Sequence, residues 1–424
     1  MQTYLRRVVG LLLATTALLH VSAGEFRAGV AVRVVTPDPL LPLTGGVGGS
    51  VQATTKQGEL TVRALVFQDG TNRVAIVGSD FLGFPAVLGD RVRAAVKGIP
   101  PGNILIGATH THSAPDCYGF PDGKGGTGAD LKYLASVCQR MAEAINEAVE
   151  KAQPAAIKIA TGRARGKIAY NYYAPQLYDP RCSVIQAVGT DGKPIATLVN
   201  YAIHPEVLGN RRAICSPDLV GPLYDRIAAK GGGTAVFMNS AQGGMVTADN
   251  RLPGGGEAGD WAECVRIGEL LADEALGLVA DAPVQQSPPM LCRSRPLTLP
   301  VDSPLMRQLL KALPAVHGVP TTADSVTTQF NLINLGNAQI LTIPGEALPN
   351  IGYYLKRKMR GEHNLLFGLT NDAFGYILTK EDYDSFERYA YVSRTSLGER
   401  TGTILVDEAL KFVAESPVPA RLVQ

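Results

Sequence analysis

The chain contains 424 residues, of which 46% are hydrophobic, and its 40 lysines and arginines nearly balance its 38 aspartates and glutamates. No cluster of lysine and arginine forms a stripe, so the electrostatic footprint of a nucleic-acid-binding protein is absent. We therefore expect no nucleic-acid partner.

The first 23 residues have the pattern of a cleavable export signal. Arg6 and Arg7 precede an apolar run, Val8–Leu19, and the small residues Val21-Ser22-Ala23 precede Gly24, which is the pattern that signal peptidase cuts. The apolar run is shorter than the roughly 20 residues that span a bilayer. We expect a secreted or periplasmic protein without a transmembrane segment.

The mature chain, residues 24–424, is predicted to form a single domain, because no linker and no internal repeat interrupts it. An oxidising compartment permits disulfides without requiring them, so paired and free cysteines both remain open. No two cysteines form a Cys-x-x-Cys metal or redox motif. The six cysteines are Cys117, Cys138, Cys182, Cys215, Cys264 and Cys292.

Short apolar runs alternate with helix-like stretches, which is typical of an α/β layered domain. Turn signals at Asp69-Gly70, Asp191-Gly192 and Gly336-Asn337 each separate two strand-like runs, which indicates hairpins and a mixed sheet. We therefore predict a mixed β-sheet core flanked by helices, with the active site at the C-terminal ends of the strands. The predicted helices are Ala86–Val96, Ala129–Lys151, Pro217–Ala229, Asp260–Val279, Leu348–Met359 and Thr403–Ala414.

Polar residues follow five of the apolar runs. Ligands collect where the strands of α/β sheets end, so these polar segments are expected to converge on one rim. They are Ser79-Asp80, Thr109-His110-Thr111-His112, His204, Asn239-Ser240-Ala241-Gln242 and Pro344-Gly345-Glu346.

The histidines carry the first signal of chemistry. His110 and His112 are two residues apart, so on an extended backbone their imidazoles point to the same side and can present two nitrogens to one metal ion or one reactive centre. His204 ends another apolar strand, and Pro205 holds the backbone extended beside its ring. Structural, hydrogen-bonded histidines remain the alternative for all three.

Acidic and phenolic groups could join them. Glu346 follows Pro344-Gly345, where glycine lets the backbone turn and sets the carboxylate at the rim; the alternative is a charge that favours the dipole of the following helix. Tyr376 and Tyr383 belong to a late segment that also contains Asn371, although tyrosine phenols mostly pack and hydrogen-bond.

The glycine-rich stretch Gln242-Gly243-Gly244-Met245-Val246-Thr247 offers amides and one hydroxyl, which would bind an oxyanion or simply turn a corner. No Gly-Lys-Ser/Thr follows, so it is no phosphate-binding loop. A Gly-x-Ser-x-Gly elbow is absent from the sequence, which argues against a serine esterase.

Taken together and in order, these segments resemble the neutral/alkaline (non-lysosomal) ceramidase family from about Ala28 to Leu410. The segments that carry the resemblance are Ala108-Thr109-His110-Thr111-His112-Ser113, Ser216-Pro217-Asp218, Ile343-Pro344-Gly345-Glu346 and Gly375-Tyr376-Ile377-Leu378-Thr379-Lys380-Glu381-Asp382-Tyr383.

The resemblance implies one catalytic Zn²⁺ per chain, held by His110, His204, Glu346 and Tyr376. It also implies that His112 assists proton transfer or holds the oxyanion. Thr247 aligns with a hydroxyl-bearing Gly-Asp-Val-Ser segment of the family, which implies a catalytic role for it as well. Further residues are expected to support these side chains or contact substrate, namely Asp80, Asp218, Gln242, Asn371 and Tyr383.

Two departures from the family pattern bear on the substrate. Met245 stands where the family has an acid, and Tyr172 follows Asn171 where the family has a substrate-binding arginine. The sequence also ends near the close of the catalytic domain, so no immunoglobulin-like C-terminal domain is expected.

The sequence therefore predicts a zinc amidohydrolase that cleaves the N-acyl bond of ceramide or a related N-acyl lipid, which it would meet at a membrane surface. Two alternatives remain open: a zinc hydrolase of a non-sphingolipid amide or ester, and an inactive binding protein on the same fold. Histidine, carboxylate and phenolate ligands suit several divalent metals, so the sequence leaves the metal itself open.

Overall fold

The computed structural model describes residues 25–121, 126–312 and 324–422. The predicted export signal at residues 1–23 lies outside them. Within the described part of the chain, the helices are α1 (Ala86–Ala95), α2 (Leu131–Glu150), α3 (Val220–Ala229), α4 (Trp261–Ala280), α5 (Pro304–Ala312), α6 (Pro349–Lys358), α7 (Ala390–Arg394) and α8 (Thr401–Glu415).

Strands make up most of the remaining regular structure. They are β1 (Phe26–Val34), β2 (Pro42–Thr44), β3 (Val51–Gln52), β4 (Thr55–Lys56), β5 (Thr61–Asp69), β6 (Asn72–Ser79), β7 (Ile104–Ala108), β8 (Ala114–Pro115), β9 (Gln153–Arg163), β10 (Ala169–Asn171), β11 (Arg181–Gly189), β12 (Pro194–Tyr201), β13 (Ile214–Cys215), β14 (Thr234–Asn239), β15 (Val246–Ala248), β16 (Val284–Gln285), β17 (Met290–Pro300), β18 (Ser325–Leu335), β19 (Ala338–Thr342), β20 (Glu346–Ala347), β21 (His363–Phe367) and β22 (Tyr376–Ile377).

Two mixed sheets form the core. The main sheet has nine strands in the order β14-β12-β11-β9-β1-β5-β6-β7, with β16 beside β9, and the second sheet has the order β17-β18-β19-β21. Antiparallel pairs dominate, but β6 runs parallel to β7, β12 to β14 and β19 to β21. The mixed sheet core flanked by helices is confirmed.

Alternation along the strands explains the layers. In β5, Val62, Ala64 and Val66 pack with residues of α1 and α2, whereas Leu65 and Phe67 pack in the cluster shared with the second sheet. Successive side chains of a strand point to opposite faces, so one strand serves two cores. Helices α3 and α4 cover the other half of the main sheet, and α6 and α8 cover the second sheet. The result is a helix–sheet–sheet–helix arrangement.

The six predicted helices are all present, with ends shifted by a few residues, and the three predicted hairpins pair as β5–β6, β11–β12 and β18–β19. Two helices, α5 and α7, were not predicted. All six cysteines are free, and five of them are buried. No helix of the described residues is long and apolar enough to cross a membrane.

Candidate metal centre

Three segments at strand ends bring two histidines and a glutamate together. His110 follows β7, His204 follows β12 and Glu346 begins β20. Nε2 of His204 lies 3.1 Å from Oε2 of Glu346, and Nε2 of His110 lies 3.4 Å from the same oxygen. Each of these side chains is at most 8% exposed. The strand ends therefore converge as the sequence predicts.

The second ring nitrogen of each histidine is fixed by the backbone. Nδ1 of His110 lies 2.5 Å from the carbonyl oxygen of Leu82, and Nδ1 of His204 lies 2.8 Å from that of Val246. A carbonyl oxygen only accepts hydrogen bonds, so both Nδ1 atoms donate, and each ring, when neutral, presents the lone pair of its Nε2 atom to the shared oxygen side of the site. Metal-binding histidines are oriented in this way by a partner on their other nitrogen.

His110 adopts an unusual backbone conformation, with φ at +75°. For a residue other than glycine, the left-handed region costs on the order of 1–3 kcal/mol, and such residues cluster at functional sites. The hydrogen bond from His110 N to Phe81 O, at 2.9 Å, holds the conformation. The fold therefore accepts local strain to present this ring.

Asn239, at the end of β14, ties the two histidine loops together. Its Nδ2 donates to Thr109 O at 3.0 Å and to Ile203 O at 2.7 Å. Those carbonyls immediately precede His110 and His204. The sequence analysis did not select Asn239, although it belongs to the same polar cluster as Gln242.

Glu346 and Tyr376 are directly paired residues of the short parallel ladder β20–β22. The Tyr376 ring lines the same pocket as His110 and Glu346. Its hydroxyl lies 3.5 Å from Sδ of Met245, and burial raises its pKa well above the usual range. Tyr376 therefore lies beside the cluster as a neutral phenol, and its role as a ligand stays a prediction.

Gly243 lets the glycine-rich loop approach β20 closely. A Cβ at this position would lie 2.2 Å from Glu346 O, which no side chain tolerates. The loop is held by hydrogen bonds from Gly243 N to Ala347 O at 2.9 Å and from Val246 N to Gln242 O at 3.2 Å. This contact holds the backbone of Glu346 against the loop whose Val246 carbonyl accepts the hydrogen bond from His204 Nδ1.

His112 lies next to the other two imidazoles, with its ring centroid 4.8 Å from that of His110 and 5.6 Å from that of His204. Nδ1 of His112 faces Oε2 of Glu206 at 3.5 Å. Nε2 of His112 is buried and has no hydrogen-bond partner. Glu206 is a second residue that the sequence analysis did not select; its position two residues after His204 was the available signal.

Charges within the cluster are strongly coupled. Burial alone would raise the pKa of Glu346, but the two imidazoles outweigh it and hold that pKa well below its usual range. Burial likewise opposes the charged form of His204, yet the hydrogen bond with Glu346 and the nearby carboxylates raise its pKa to about 9. Burial dominates at His112 and lowers its pKa to about 3.

These residues fit a divalent metal ion. His110, His112 and His204 each offer one nitrogen, and the three atoms lie within 4.8 Å of one another. Imidazole nitrogen and carboxylate oxygen are common zinc ligands. An unpaired buried polar atom such as Nε2 of His112 costs about 1–3 kcal/mol, a cost that a bound cation or substrate group would remove.

The remaining predicted site residues fall into two groups. Asp80, Asp218 and Asn371 are buried and bonded to the protein: Asp80 accepts from Thr61, Asp218 from the Leu208 and Leu219 amides, and Asn371 from Arg93. They fix the loops around the centre and do not touch the histidines.

Gln242, Tyr383 and Thr247 differ from those three. Both side-chain amide atoms of Gln242 are buried without a partner. Tyr383 packs against the small cluster that contains Tyr376. Thr247 forms a bridge with His204 along the backbone, and its side chain hydrogen-bonds Glu206.

A mostly apolar pocket opens beside the cluster. Its empty space, with the open solvent at its mouth included, is about 740 Å³. His110, His112, Glu346 and Tyr376 line one part of it. Its apolar lining includes Leu82, Tyr118, Phe120, Leu309, Leu310 and Phe374.

Solved structures share this fold. Neutral ceramidase from Pseudomonas aeruginosa matches with a TM-score of 0.73 and 18% identity, covering 94% of this chain and 76% of that one. A structure described as ceramidase complexed with C2 matches with the same TM-score and identity, over 94% and 77% of the two chains. No protein-family model and no curated protein matches the chain.

The chain therefore has the neutral ceramidase fold, as the sequence motifs imply. At 18% identity the match establishes the shared fold, and the chemistry must be argued from the side chains.

Proposed function

We propose that the chain is an exported, zinc-dependent amidohydrolase that cleaves an N-acyl bond, with ceramide or a related N-acyl lipid as its substrate. The observation that carries the proposal is the convergence of His110 Nε2 and His204 Nε2 on one oxygen of Glu346, with both Nδ1 atoms bonded to backbone carbonyls. The apolar pocket beside this cluster supports an acyl chain as part of the substrate.

His110, His204 and Glu346 would hold the zinc ion, with Tyr376 completing the set implied by the family resemblance. When bound, zinc supplies Lewis acidity, which makes water a competent nucleophile near neutral pH and polarises an amide carbonyl. Leu82 O and Val246 O keep the two rings in the tautomer that presents Nε2.

His112 would handle protons. Burial keeps its ring neutral, and the Glu206 carboxylate at 3.5 Å favours a proton on Nδ1, which leaves the lone pair on Nε2. That atom can accept a proton from the attacking water and return it to the departing amine nitrogen. The C–N bond of the amide breaks, and the products are a carboxylate and an amine.

Metal content tests the proposal. Elemental mass spectrometry of the purified protein should find about one zinc per chain, in line with a single-ion hydrolase centre, and His204→Ala should lose it. His363→Ala is a matched control, because His363 lies in β21 and contacts Thr161; it should keep the metal. Equal zinc content in the wild type and His204→Ala, or no zinc in either, would contradict the proposed zinc site.

Substrate is tested separately with the metal-loaded protein. Ceramides, other N-acyl amides and fatty esters should be compared, with amine release as the signal for the amides and acid release for the esters. Turnover of amides over esters supports the amidohydrolase. Bound zinc without turnover of any of them would favour the inactive binding protein, and a preference for esters would favour the other alternative.

A further inference from the structure

A second, polar pocket borders the candidate metal centre at His112. His112 and Gly45 line both, so the two pockets meet at the imidazole expected to move protons. The walls of the polar pocket include Glu206, Asn210, Arg211 and Arg212. A substrate held at His112 would thus have one arm in each pocket.

The two arginines have no acidic partner. Arg211 and Arg212 are exposed, and among the described residues neither forms a hydrogen bond or an ion pair. By contrast, the neighbouring Arg251 is bonded to Asp249 through two nitrogens, at 2.8 Å each. Guanidinium groups in a fixed fork match carboxylate and phosphate geometry, so an unpaired pair of them beside a reaction centre favours an anion.

The loop that carries the arginines is held in place. Arg211 and Arg212 lie in a 3₁₀ turn, Asn210–Arg212, flanked by Gly209 and Ala213, both with positive φ. A Cβ on Gly259 would lie 1.8 Å from the Arg212 guanidinium, so this glycine gives the guanidinium its room.

Two further contacts tie the same loop to the metal centre. Asp218 accepts a hydrogen bond from Leu208 N at 2.8 Å, and His112 N donates to Pro205 O at 3.1 Å. The segment that begins at His204 thus runs past His112 to the arginines as one anchored loop.

In the described part of the chain, neither carboxylate of the pocket, Glu206 or Glu257, forms an ion pair with the two arginines. Glu206 faces His112 and Thr247. Glu257 lies close enough to Tyr170 that, after burial, its charge is the largest influence that raises the pKa of that phenol.

We infer that the polar pocket binds an anionic group, a carboxylate or a phosphate, on the amine part of the substrate. The inference rests on the proposed amide hydrolysis and narrows its substrate: an acyl chain occupies the apolar pocket, and a charged head occupies the polar one. A ceramide, whose two chains are apolar and whose hydroxyls are neutral, offers no anion to Arg211 and Arg212.

Three ligands with the same acyl chain test this: N-lauroylglycine, N-lauroyl-O-phosphoethanolamine and the neutral N-lauroylethanolamine. Binding is measured by calorimetry on protein kept metal-free with a chelator, so that no anion can bind to zinc. The anionic ligands should bind about tenfold more tightly than the neutral one at low salt, as two exposed ion pairs allow. The ratio should shrink at high salt because the contacts are screened.

The double variant Arg211→Gln/Arg212→Gln should bring the ratio of affinities to about one. The control Arg163→Gln/Arg165→Gln changes two arginines on and just after β9 and should keep the tenfold ratio. Equal affinities in the wild type, or an unchanged ratio in the Arg211/Arg212 variant, would overturn the inference. The glycine and phosphoethanolamine arms tell whether a carboxylate or a phosphate is preferred.

Turnover of the same ligands by zinc-loaded protein separates the two claims. If N-lauroylethanolamine and the anionic amides are cleaved at equal rates, and the Arg211/Arg212 variant cleaves them at the wild-type rates, amide hydrolysis is supported and the anion subsite is ruled out. If the anionic ligands bind through the arginines but no amide is cleaved, the subsite stands and the hydrolase falls.

Discussion

The polar residues that follow the strand ends form two groups, which differ in what their side-chain atoms bond. In the first, His112 Nε2 and both amide atoms of Gln242 are buried without any partner, and the Nε2 atoms of His110 and His204 share one carboxylate oxygen. In the second, Asp80 accepts three hydrogen bonds, from Thr61 N, Thr61 Oγ1 and Tyr224.

Asp218 and Asn371 belong with Asp80. Each accepts backbone or side-chain hydrogen bonds, and each has positive φ, so both are built into turns. Buried polar groups are normally satisfied, so a buried atom without a protein partner is one that a water molecule, an ion or a substrate group can bond. The first group is therefore where chemistry is expected, and the second is the frame that holds it.

The largest effect is expected for Glu346→Gln, which keeps the side-chain shape and removes the charge. Loss of an outer-shell partner alone costs about 10–100-fold in metal affinity, so loss of the shared carboxylate should weaken zinc binding by at least about 100-fold. Competition with a fluorescent chelator measures it.

Glu206→Gln is the matched comparison, since Glu206 contacts Thr247 and Nδ1 of His112, neither of which belongs to the proposed ligand set. It should lower zinc affinity by no more than about tenfold, the low end of an outer-shell effect. Equal losses in the two variants would contradict the assignment of Glu346 as the central carboxylate.

Asn239→Ala should weaken both the centre and the fold, because it removes the donors to Thr109 O and Ile203 O. Leaving buried carbonyls unpaired costs about 1–3 kcal/mol in the free energy of unfolding, and an outer-shell change of this kind lowers zinc affinity about 10–100-fold. Urea unfolding and chelator competition give the two values.

Asn331→Ala is the control that distinguishes a loss of fold stability from a loss of zinc affinity. Asn331 donates to Gly102 O at 2.7 Å and accepts from Asn371, and none of its own hydrogen bonds reaches the segments that contain His110 or His204. This variant should lose stability and keep zinc affinity. If both asparagine variants lower zinc affinity equally, the loss reflects general loosening of the fold.

Asp372→Asn tests a buried carboxyl group near the centre through the pH dependence of the free energy of unfolding. Asp372 accepts hydrogen bonds from Ala86 N and Ala373 N, and burial raises its pKa to about 7. The folded protein therefore keeps a proton that the unfolded chain releases above about pH 4. Because the folded state binds more protons in this window, the free energy of unfolding of the wild type falls as pH rises from about 4 to about 7.

The asparagine resembles the protonated acid, so Asp372→Asn should lose less stability over that range, by a few kcal/mol. The comparison uses metal-free protein, which keeps zinc release out of the pH dependence. Burial also raises the pKa of Asp116 and of Asp218 to about 6, but both contribute equally to wild type and variant. Parallel stability curves would show that Asp372 is ionised in the folded protein.

The sequence did not show which of the polar residues have unpaired side-chain atoms and which are fully hydrogen-bonded. Apolar runs and turn dipeptides are local, so the three hairpins and six helices were predictable, and the polar residues after the strands pointed to the edge where His110, His204 and Glu346 meet. Asn239 contacts Thr109 across 130 residues of chain, and no local pattern reports such a contact. The same reason explains why Asp80 and Gln242 look alike in sequence, although one is fully bonded and the other is open.

The smallest effect is expected for Thr247→Ala. Thr247 was predicted to be catalytic, but its side chain hydrogen-bonds Glu206, which in turn faces the outer nitrogen of His112. A single hydrogen bond of this kind contributes about 0.5–1.5 kcal/mol, so kcat/KM on an N-acyl amide should fall by only about 2–10-fold. Thr247→Ser keeps the hydroxyl and should retain the wild-type rate. A loss of about 1,000-fold in Thr247→Ala, the size seen when a donor to a developing oxyanion is removed, would instead place the hydroxyl on the reacting atoms, because a residue that only orients Glu206 cannot produce it.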